Sequence, residues 1–238
     1  MQWKKSKVPL ISVYEGIERH NGRNICKNVF HISEYGKKPG DLWEQALTEV
    51  ERRYDLTCTK IYLHGDGGNW FQTGLEWFSG AAFVLDKYHK NKSIECMTAG
   101  LKETDRKLFN KEIRWALENE DLRFFGELSD FLCNEQPERA DKILESARYL
   151  SRFVKGISIC KTDCRANNGG CTEPHVSHIL SSRLSSRPMT WSRKTLKKLA
   201  PVLAAGNITL RSKDPKAELP KPLRKPQRAR ARLSAGVL

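Results

Sequence analysis

Lys60-Ile-Tyr-Leu-His-Gly-Asp-Gly-Gly68 is an apolar run that ends on an acid followed by two glycines. Its Ile, Tyr and Leu residues favour a β-strand, and the glycines end that strand in a turn. A strand that ends in this way presents the acid at the edge of a sheet. We therefore predict that Asp66 is displayed to solvent, where its carboxylate is available for chemistry.

A second segment, Gly170-Cys-Thr-Glu-Pro-His-Val-Ser-His178, predicts the start of a helix that runs to about residue 187. Thr172 can cap such a helix and Pro174 is tolerated in its first turn. Glu173 then stands at the mouth of the helix. Two acids on rigid elements, Asp66 and Glu173, form a candidate site for a hard divalent cation such as Mg²⁺ or Mn²⁺. The alternative is structural, with Asp66 capping a turn and Glu173 stabilised by the helix dipole.

Charge is distributed unevenly along the 238 residues, which carry a formal net charge of +14. Residues 148–238 contain 20 Lys and Arg against 4 Asp and Glu, so the basicity is confined to the C-terminal part. Such a region suggests a polyanionic partner, most simply nucleic acid, and the alternative is a solvated basic tail. No apolar stretch approaches the ~18 residues of a membrane span, so we expect a cytoplasmic protein with no membrane partner.

The pattern of residues predicts an α/β fold with a separate helical part. Strands are expected over residues 8–15 and 25–32 as a hairpin, then a helix after Asp41, the strand that leads to Asp66, and a short strand over residues 81–85. We divide the chain into a core over residues 1–85, a helical insertion over 86–156, a final pair of helices over 157–206 and a disordered basic tail over 207–238.

Four ordered blocks of this sequence closely resemble the bacterial insertion-sequence transposases of the ISLre type, long classed as an uncharacterised protein family. The blocks are Tyr62-Leu-His-Gly-Asp-Gly-Gly-Asn-Trp70, Thr73-Gly-Leu-Glu-Trp77, Phe83-Val-Leu-Asp-Lys-Tyr-His89 and the run from Glu173 to Ser192. The resemblance covers about residues 8 to 205. Four blocks in one order are more specific than a single short motif.

The resemblance implies a ribonuclease-H-like fold, because the family is similar to the Mutator-type transposases. In that group an Asp-Asp-Glu triad holds the metal, and a helical insertion precedes the Glu. By resemblance, Asp66 is the second Asp of the triad and Glu173 is the Glu. The pair Asp86 and His89 resembles a signature that lies close to the active site in those relatives, and its structural alternative is a helix N-cap beside a surface histidine. The implied function is DNA transposition, by metal-dependent strand cleavage and transfer at the ends of an element and into a target.

The sequence departs from the family pattern at its start. In the relatives, the first Asp of the triad lies on a strand upstream of the hairpin, whereas this sequence begins at the hairpin and has no acid before Val8. We interpret the sequence as the C-terminal portion of a transposase. Weaker metal binding and doubtful catalysis by this chain alone are the expected consequences.

Two alternatives use the basic C-terminal part without catalysis. Zinc is less expected than Mg²⁺ or Mn²⁺, but Cys160, Cys164, Cys171 and His175, with His178 nearby, form a candidate soft-ligand cluster. A zinc-stabilised or non-catalytic remnant would still bind DNA, and the sequence leaves a homo-oligomer undecided. The candidate DNA-binding residues are Lys161, Arg165, Arg183, Arg187, Arg193, Lys194, Lys197 and Lys198.

Overall fold

The computed structural model describes residues 8–168, 176–184, 191–205 and 234–237. Within these ranges the fold is α/β and mostly helical, with small sheets. The chain divides into two compact units. The first comprises Met1–Ile61, Glu76–Gly80 and Cys171–Leu238, and the second comprises Tyr62–Leu75 and Ala81–Gly170. None of the helices in the described ranges has the length and apolar character needed to cross a membrane.

The first unit begins with the predicted hairpin, which is bent into two antiparallel pairs. Strand β1 (Ile11–Tyr14) pairs with β4 (Phe30–Ile32), and β2 (Gly16–His20) pairs with β3 (Arg23–Lys27). The turn between β2 and β3 has positive φ at both Asn21 (48°) and Gly22 (76°). Such a turn matches the right-handed twist of two antiparallel strands, which is why an Asn-Gly pair closes this hairpin.

Helix α1 (Pro39–Glu51) packs its apolar stripe in the core of the first unit. It begins with Pro39, so Asp41 lies within its first turn and is not the cap that the sequence suggests. Trp43 is fully buried and meets Phe78 edge-on at 6.1 Å between ring centroids. The stripe comprises Leu42, Trp43, Ala46 and Val50.

Two further segments of the first unit come from the basic part of the sequence. The predicted helix over residues 173–187 is described only as a π-helical segment, Val176–Ser181, followed by the turn Ser182–Leu184. Near the end of the sequence, strand β7 (Ser234–Val237) pairs antiparallel with β1. The sequence predicts disorder there, but these four residues carry no charge and lie beyond the last arginine, so the repulsion that favours disorder does not act on them.

The second unit contains a parallel strand pair. It confirms the two strands predicted before Asp66 and over residues 81–85. Strands β5 (Tyr62–Gly65) and β6 (Ala82–Leu85) pair in register, with Gly65 opposite Leu85. Helix α2 (Asn69–Trp77) lies between them in the chain. A strand, a helix and a parallel strand form the crossover that brings the carboxyl ends of both strands to one edge.

Five helices follow β6 and build the core of the second unit. They are α3 (Lys87–Thr98), α4 (Glu103–Glu118), α5 (Leu122–Glu135), α6 (Ala140–Arg152) and α7 (Val154–Thr162). Their inward faces bury Leu85, Ile94, Met97, Ile113, Leu117, Phe125, Leu132, Ile143, Leu150, Phe153 and Ile157. Helix α7 packs on β6, so the helices and the strand pair share one core. The helical run extends past residue 156, because α7 ends at Thr162.

Two features of these helices differ from what residue type alone predicts. A glycine predicts a helix break near residue 126, but Gly126 lies inside α5, and the chain turns instead at Glu120, whose φ is 57°. Asp121 then caps α5 by accepting the Phe124 N–H at 3.0 Å. A large aromatic side chain in a helix predicts a packing residue, yet Trp115 is 52% exposed. Its ring meets that of Phe124 edge-on, at 6.0 Å between ring centroids.

Candidate active site

Asp66 and Asp86 stand side by side at the carboxyl edge of the parallel pair. Each is the first residue after its strand, and the last residues of the two strands, Gly65 and Leu85, are paired in register. The Asp86 N–H donates to the Gly65 carbonyl at 3.0 Å, which extends the pairing by one bond. Neighbouring strands lie about 4.8 Å apart, so the two acids start from adjacent points of the backbone. Asp66 is exposed, as the sequence predicts.

The turn after Asp66 requires both of its neighbouring glycines. Gly67 has φ of +75°, and a Cβ there would lie 2.2 Å from Cζ of Phe153. A Cβ on Gly65 would lie 2.2 Å from the ring of Phe71. The Gly68 N–H donates to Asp66 Oδ1 at 2.9 Å, which orients the carboxylate. The run of glycines around Asp66 is therefore explained by close aromatic packing and by one left-handed residue.

The Asp86 carboxylate makes hydrogen bonds to both the main chain and the side chain of His89, in the first turn of α3. Its Oδ1 accepts the His89 N–H at 2.9 Å, and its Oδ2 lies 2.7 Å from His89 Nδ1. The Asp86 side chain is 17% exposed and that of His89 is 41% exposed. A carboxylate at Nδ1 favours the tautomer with the proton on Nδ1, which leaves Nε2 as a proton acceptor. The cap and the functional pair proposed from the sequence thus use the same carboxylate.

Tyr149 joins this edge of the sheet from helix α6, and it is not among the site residues predicted from the sequence. Its hydroxyl donates to the main-chain carbonyl of Asp66 at 2.8 Å. Burial raises the pKa of Tyr149, and the Asp86 and Asp66 carboxylates raise it further. Both acids are therefore close enough to act on this hydroxyl. The only sequence signal is an aromatic pair, Tyr149 and Phe153, spaced four residues apart on an amphipathic helix.

The carboxylates at this edge suit a hard cation in their chemistry. Oxygen donors are what Mg²⁺ and Mn²⁺ take, and Asp66 Oδ2 has no hydrogen-bond partner among the described residues. Across those same residues, no three Asp, Glu, His or Cys side chains are grouped as a complete set of metal ligands. Glu173, the second of the two predicted metal ligands, lies outside the described residues.

His64 lies in β5, two residues before Asp66. Its side chain is 2% exposed, and no described residue is a hydrogen-bond partner of its Nε2 atom. Burial lowers the pKa of His64 to about 4, and the positive charge of Lys87 lowers it in the same direction. The histidine is therefore neutral at physiological pH, and we assign it a packing role in the strand.

The two DNA-binding candidates of the second unit are held by other side chains. Arg165 makes a bidentate pair with Asp163, with Nε to Oδ1 and a second guanidinium nitrogen to Oδ2 both at 2.8 Å. That hydrogen-bonded pair raises the pKa of Arg165. Asp163 also accepts the Tyr62 hydroxyl at the start of β5. Lys161 donates to Asn119 Oδ1 at 2.5 Å.

The basic candidates of the first unit lie on helix α8 (Arg193–Ala205) and the turn before it. This helix buries Leu196, Ala200 and Ala204, which leaves its opposite face to solvent. Arg183 is exposed, and Arg187 lies outside the described residues. We call the four cations of this helix the α8 basic face; all are exposed, and they are Arg193, Lys194, Lys197 and Lys198.

The zinc candidates are only partly described. Cys160 packs beside Tyr62, Val84 and Ala166, and its thiol donates to the Ala166 carbonyl at 3.8 Å. Burial raises its pKa, which disfavours the thiolate that binds zinc. Cys164 is exposed and His178 is exposed. Cys171 and His175 lie outside the described residues.

The family model described as "Uncharacterised protein family (UPF0236)" matches residues 1–214. The chain belongs to the UPF0236 family. This membership includes the hairpin, the Asp66 turn, the five helices and the α8 basic face. It confirms the relationship to a family classed as uncharacterised that the four sequence blocks predict.

Curated UPF0236 proteins are similar to this chain over most of its length. One from Caldanaerobacter subterraneus subsp. tengcongensis is 38% identical over 84% of this chain and 42% of its own length. Another from that organism is 37% identical over 80% of this chain and 41% of its own length. The "UPF0236 protein in vanSb 3'region" of Streptococcus gallolyticus is 22% identical over 81% of this chain and 43% of its own length. The chain thus spans about two fifths of the length of these relatives, and no solved structure matches it.

Proposed function

We propose that UPF0236 proteins of this type are DDE transposases, which cut and join DNA with a divalent metal, and that this chain carries Asp66 and Glu173 of the acidic triad. The observation that carries the proposal is the position of Asp66. It is an exposed acid at the carboxyl end of a parallel strand, beside Asp86 at the end of the next strand. Acids at the carboxyl ends of parallel strands can contact a ligand, and the strands hold their backbone in place.

The order of elements supports a ribonuclease-H-like core, which we propose by the family resemblance. An antiparallel hairpin, a helix, and a strand–helix–strand unit follow one another, and the helical run begins directly after the second of the two parallel strands. In this interpretation α3 to α7 are the insertion that precedes the Glu.

The side chains of the site have distinct roles in this proposal. Asp66 and Glu173 hold Mg²⁺ or Mn²⁺, which when bound activates an attacking oxygen and stabilises the leaving oxygen of a phosphodiester. The Gly68 N–H keeps the Asp66 carboxylate oriented. Asp86 fixes the ring and tautomer of His89, whose Nε2 can take or return a proton at the reacting oxygens.

A name among the relatives supports mobility of the gene. The Caldanaerobacter protein that is 38% identical carries eleven designations in its printed name. We read these as one protein sequence encoded at eleven places in one organism. A gene that is copied to new positions by its own product gives this pattern, so the name favours a transposase over a housekeeping enzyme.

Mn²⁺ binding and Mn²⁺-dependent nicking of supercoiled DNA by the purified chain test the proposal. Asp66→Asn and Glu173→Gln should each weaken Mn²⁺ binding and reduce nicking to background, because each removes a metal-holding carboxylate. Asp86→Asn should reduce nicking about 10- to 100-fold through its partner histidine. Asp130→Asn is the matched control, since Asp130 is an exposed acid of the second unit, on α5. Equal Mn²⁺ affinity in all four variants and the parent chain would contradict the proposal.

A non-catalytic DNA-binding protein is the second candidate, favoured by the four exposed cations of the α8 basic face. It predicts salt-sensitive DNA binding that survives Asp66→Asn and Glu173→Gln, and no metal-dependent nicking by any variant.

A further inference from the structure

We propose that Tyr149 is a positioning residue for Asp66, and that helix α6 thereby sets the geometry of the acid at the sheet edge. The inference rests on the proposed function for its biological meaning, although its structural content is independent of it. Tyr149 belongs to the helical run, far from Asp66 in sequence, and its hydroxyl donates to the Asp66 carbonyl at 2.8 Å.

The C-terminal end of α6 contacts the turn that carries Asp66 at two points. Tyr149 holds the Asp66 carbonyl, and Phe153, four residues later, fills the space beside Gly67 that a side chain would occupy. The two rings meet edge-on at 5.2 Å between centroids. Phe153 also packs against Phe83 of β6 at 5.4 Å. The aromatic pair therefore joins the turn to the neighbouring strand, so that the turn cannot shift without disturbing both.

The hydroxyl has a specific role beyond this packing. The Asp66 carbonyl lies past the last residue of β5, where the strand pairing that holds Gly65 has ended. A hydrogen bond at this carbonyl fixes the peptide plane between Asp66 and Gly67. Gly67, with a φ of +75°, is a glycine, and glycine can adopt several backbone conformations. Fixing that plane fixes where the Asp66 carboxylate points. Misplacement of a reacting group by about 1 Å can cost about 100-fold in rate, so a single bond at this point is consequential.

The charges around the hydroxyl favour its role as a donor. The Asp86 and Asp66 carboxylates both lie near it, and a phenol ordinarily loses its proton only near pH ~10. The phenol therefore keeps its proton throughout the neutral range. A donor of this kind holds a carbonyl without adding charge beside the carboxylates that would bind metal.

The test compares Tyr149→Phe with Tyr54→Phe in the whole chain. Each substitution removes one hydroxyl from a half-buried ring, and Tyr54 donates to Glu15 at 3.3 Å in the first unit. The ring of residue 149 remains to pack on Phe153, so both variants should fold with similar losses in melting temperature. Only Tyr149→Phe should shift the Asp66 carbonyl ¹³C resonance. It should also speed hydrogen exchange of the Gly68 amide about 10-fold and weaken Mn²⁺ binding about 10-fold.

The outcomes separate this inference from the proposed function. If the parent chain neither binds Mn²⁺ nor nicks DNA, yet Tyr149→Phe changes the Asp66 resonance and Gly68 exchange, the function fails and the positioning role stands. If those two signals in Tyr149→Phe match the parent chain, the positioning role is overturned whatever the activity. Should Tyr149→Phe not fold, the unaltered chain decides: a slowly exchanging Tyr149 hydroxyl proton close to the Gly67 amide is expected, and a rapidly exchanging one overturns the inference.

Discussion

At the residue scale, the glycines around Asp66 show how a closely packed turn can expose an acid to solvent. Gly65 and Gly67 admit the rings of Phe71 and Phe153, which come closer than a side chain would allow. Gly68 uses its N–H to orient the acid. The absence of side chains at Gly65 and Gly67 therefore allows aromatic rings to pack directly against the turn that carries an exposed carboxylate.

Gly67→Ala tests this packing, because the new Cβ meets Phe153 and also strains a left-handed residue. We expect a loss of about 2–5 kcal/mol in the free energy of unfolding, from strain and overpacking together. Gly80→Ala is the matched control, since Gly80 has φ of +78° with nothing within 4 Å of the added atom. Its loss should be only the strain, about 1–2 kcal/mol. Equal losses in urea titrations of the two variants would show that Phe153 moves aside freely.

His64 predicts a pH dependence of stability. The folded chain keeps this residue neutral down to about pH 4, whereas the unfolded chain takes up the proton near pH 6.5. Between these values the unfolded state binds more protons, so the free energy of unfolding falls as the pH falls, by about 3 kcal/mol from this group. His64→Gln removes the titration and should flatten the urea midpoint across this window. An unchanged pH dependence in that variant would show that His64 titrates normally in the fold.

At the scale of elements, two helices of the second unit contain a glycine for different reasons. Gly126 lies inside α5 with nothing within 4 Å of a Cβ. Gly156 lies inside α7, where a Cβ would approach a ring atom of Phe83 to 2.8 Å and the main-chain nitrogen of Leu85 to 3.2 Å. The second glycine is a contact point between α7 and β6, and it holds the strand that delivers Asp86.

Opposite effects on stability are expected when each of these glycines becomes alanine. Gly126→Ala should raise the free energy of unfolding by about 0.5–1 kcal/mol, because alanine has the better helix propensity and the site is open. Gly156→Ala gains the same propensity but should lower the free energy by about 1–3 kcal/mol, because it pushes the helix from the strand. Chemical denaturation of both variants measures the signs. A stabilised Gly156→Ala would mean that α7 does not pack closely on β6.

At the scale of the whole molecule, the net charge of +14 and the α8 basic face suggest different origins for the proposed DNA affinity. A general positive field would attract DNA through any exposed lysine, whereas a defined surface would depend on its own residues. In the first unit the hydrophobic side of α8 is buried, so its four cations face solvent as one group.

Replacing all four residues of the α8 basic face by glutamine should weaken binding to duplex DNA and flatten its salt dependence. Each lost phosphate contact lowers the slope of log affinity against log salt by about 0.9. A control with the same change in net charge replaces four exposed lysines of the second unit by glutamine, namely Lys92, Lys102, Lys107 and Lys111. Fluorescence anisotropy at several salt concentrations measures both. If the two sets weaken binding equally, the affinity comes from net charge and the α8 basic face is not the DNA surface.

The sequence by itself determined the parts of this protein whose signals are local. The Asn-Gly hairpin, the two strands that end at Asp66 and Asp86, the helical run and the family were all predictable, because turn residues, strand runs and ordered motifs are short-range features. The Asp86–His89 pair was also visible, since its residues share one helical turn.

Only the tertiary structure decided which distant residues serve the candidate site. Tyr149 and Phe153 reach the Asp66 turn because α6 folds back on it, and no spacing in the sequence encodes that contact. Likewise, the pairing of Arg165 with Asp163 and the exposure of Trp115 are features that residue type alone does not indicate. The reason is physical: hydrophobic burial fixes that a helix must pack, but the choice of partners depends on how all the faces of the folded chain fit together.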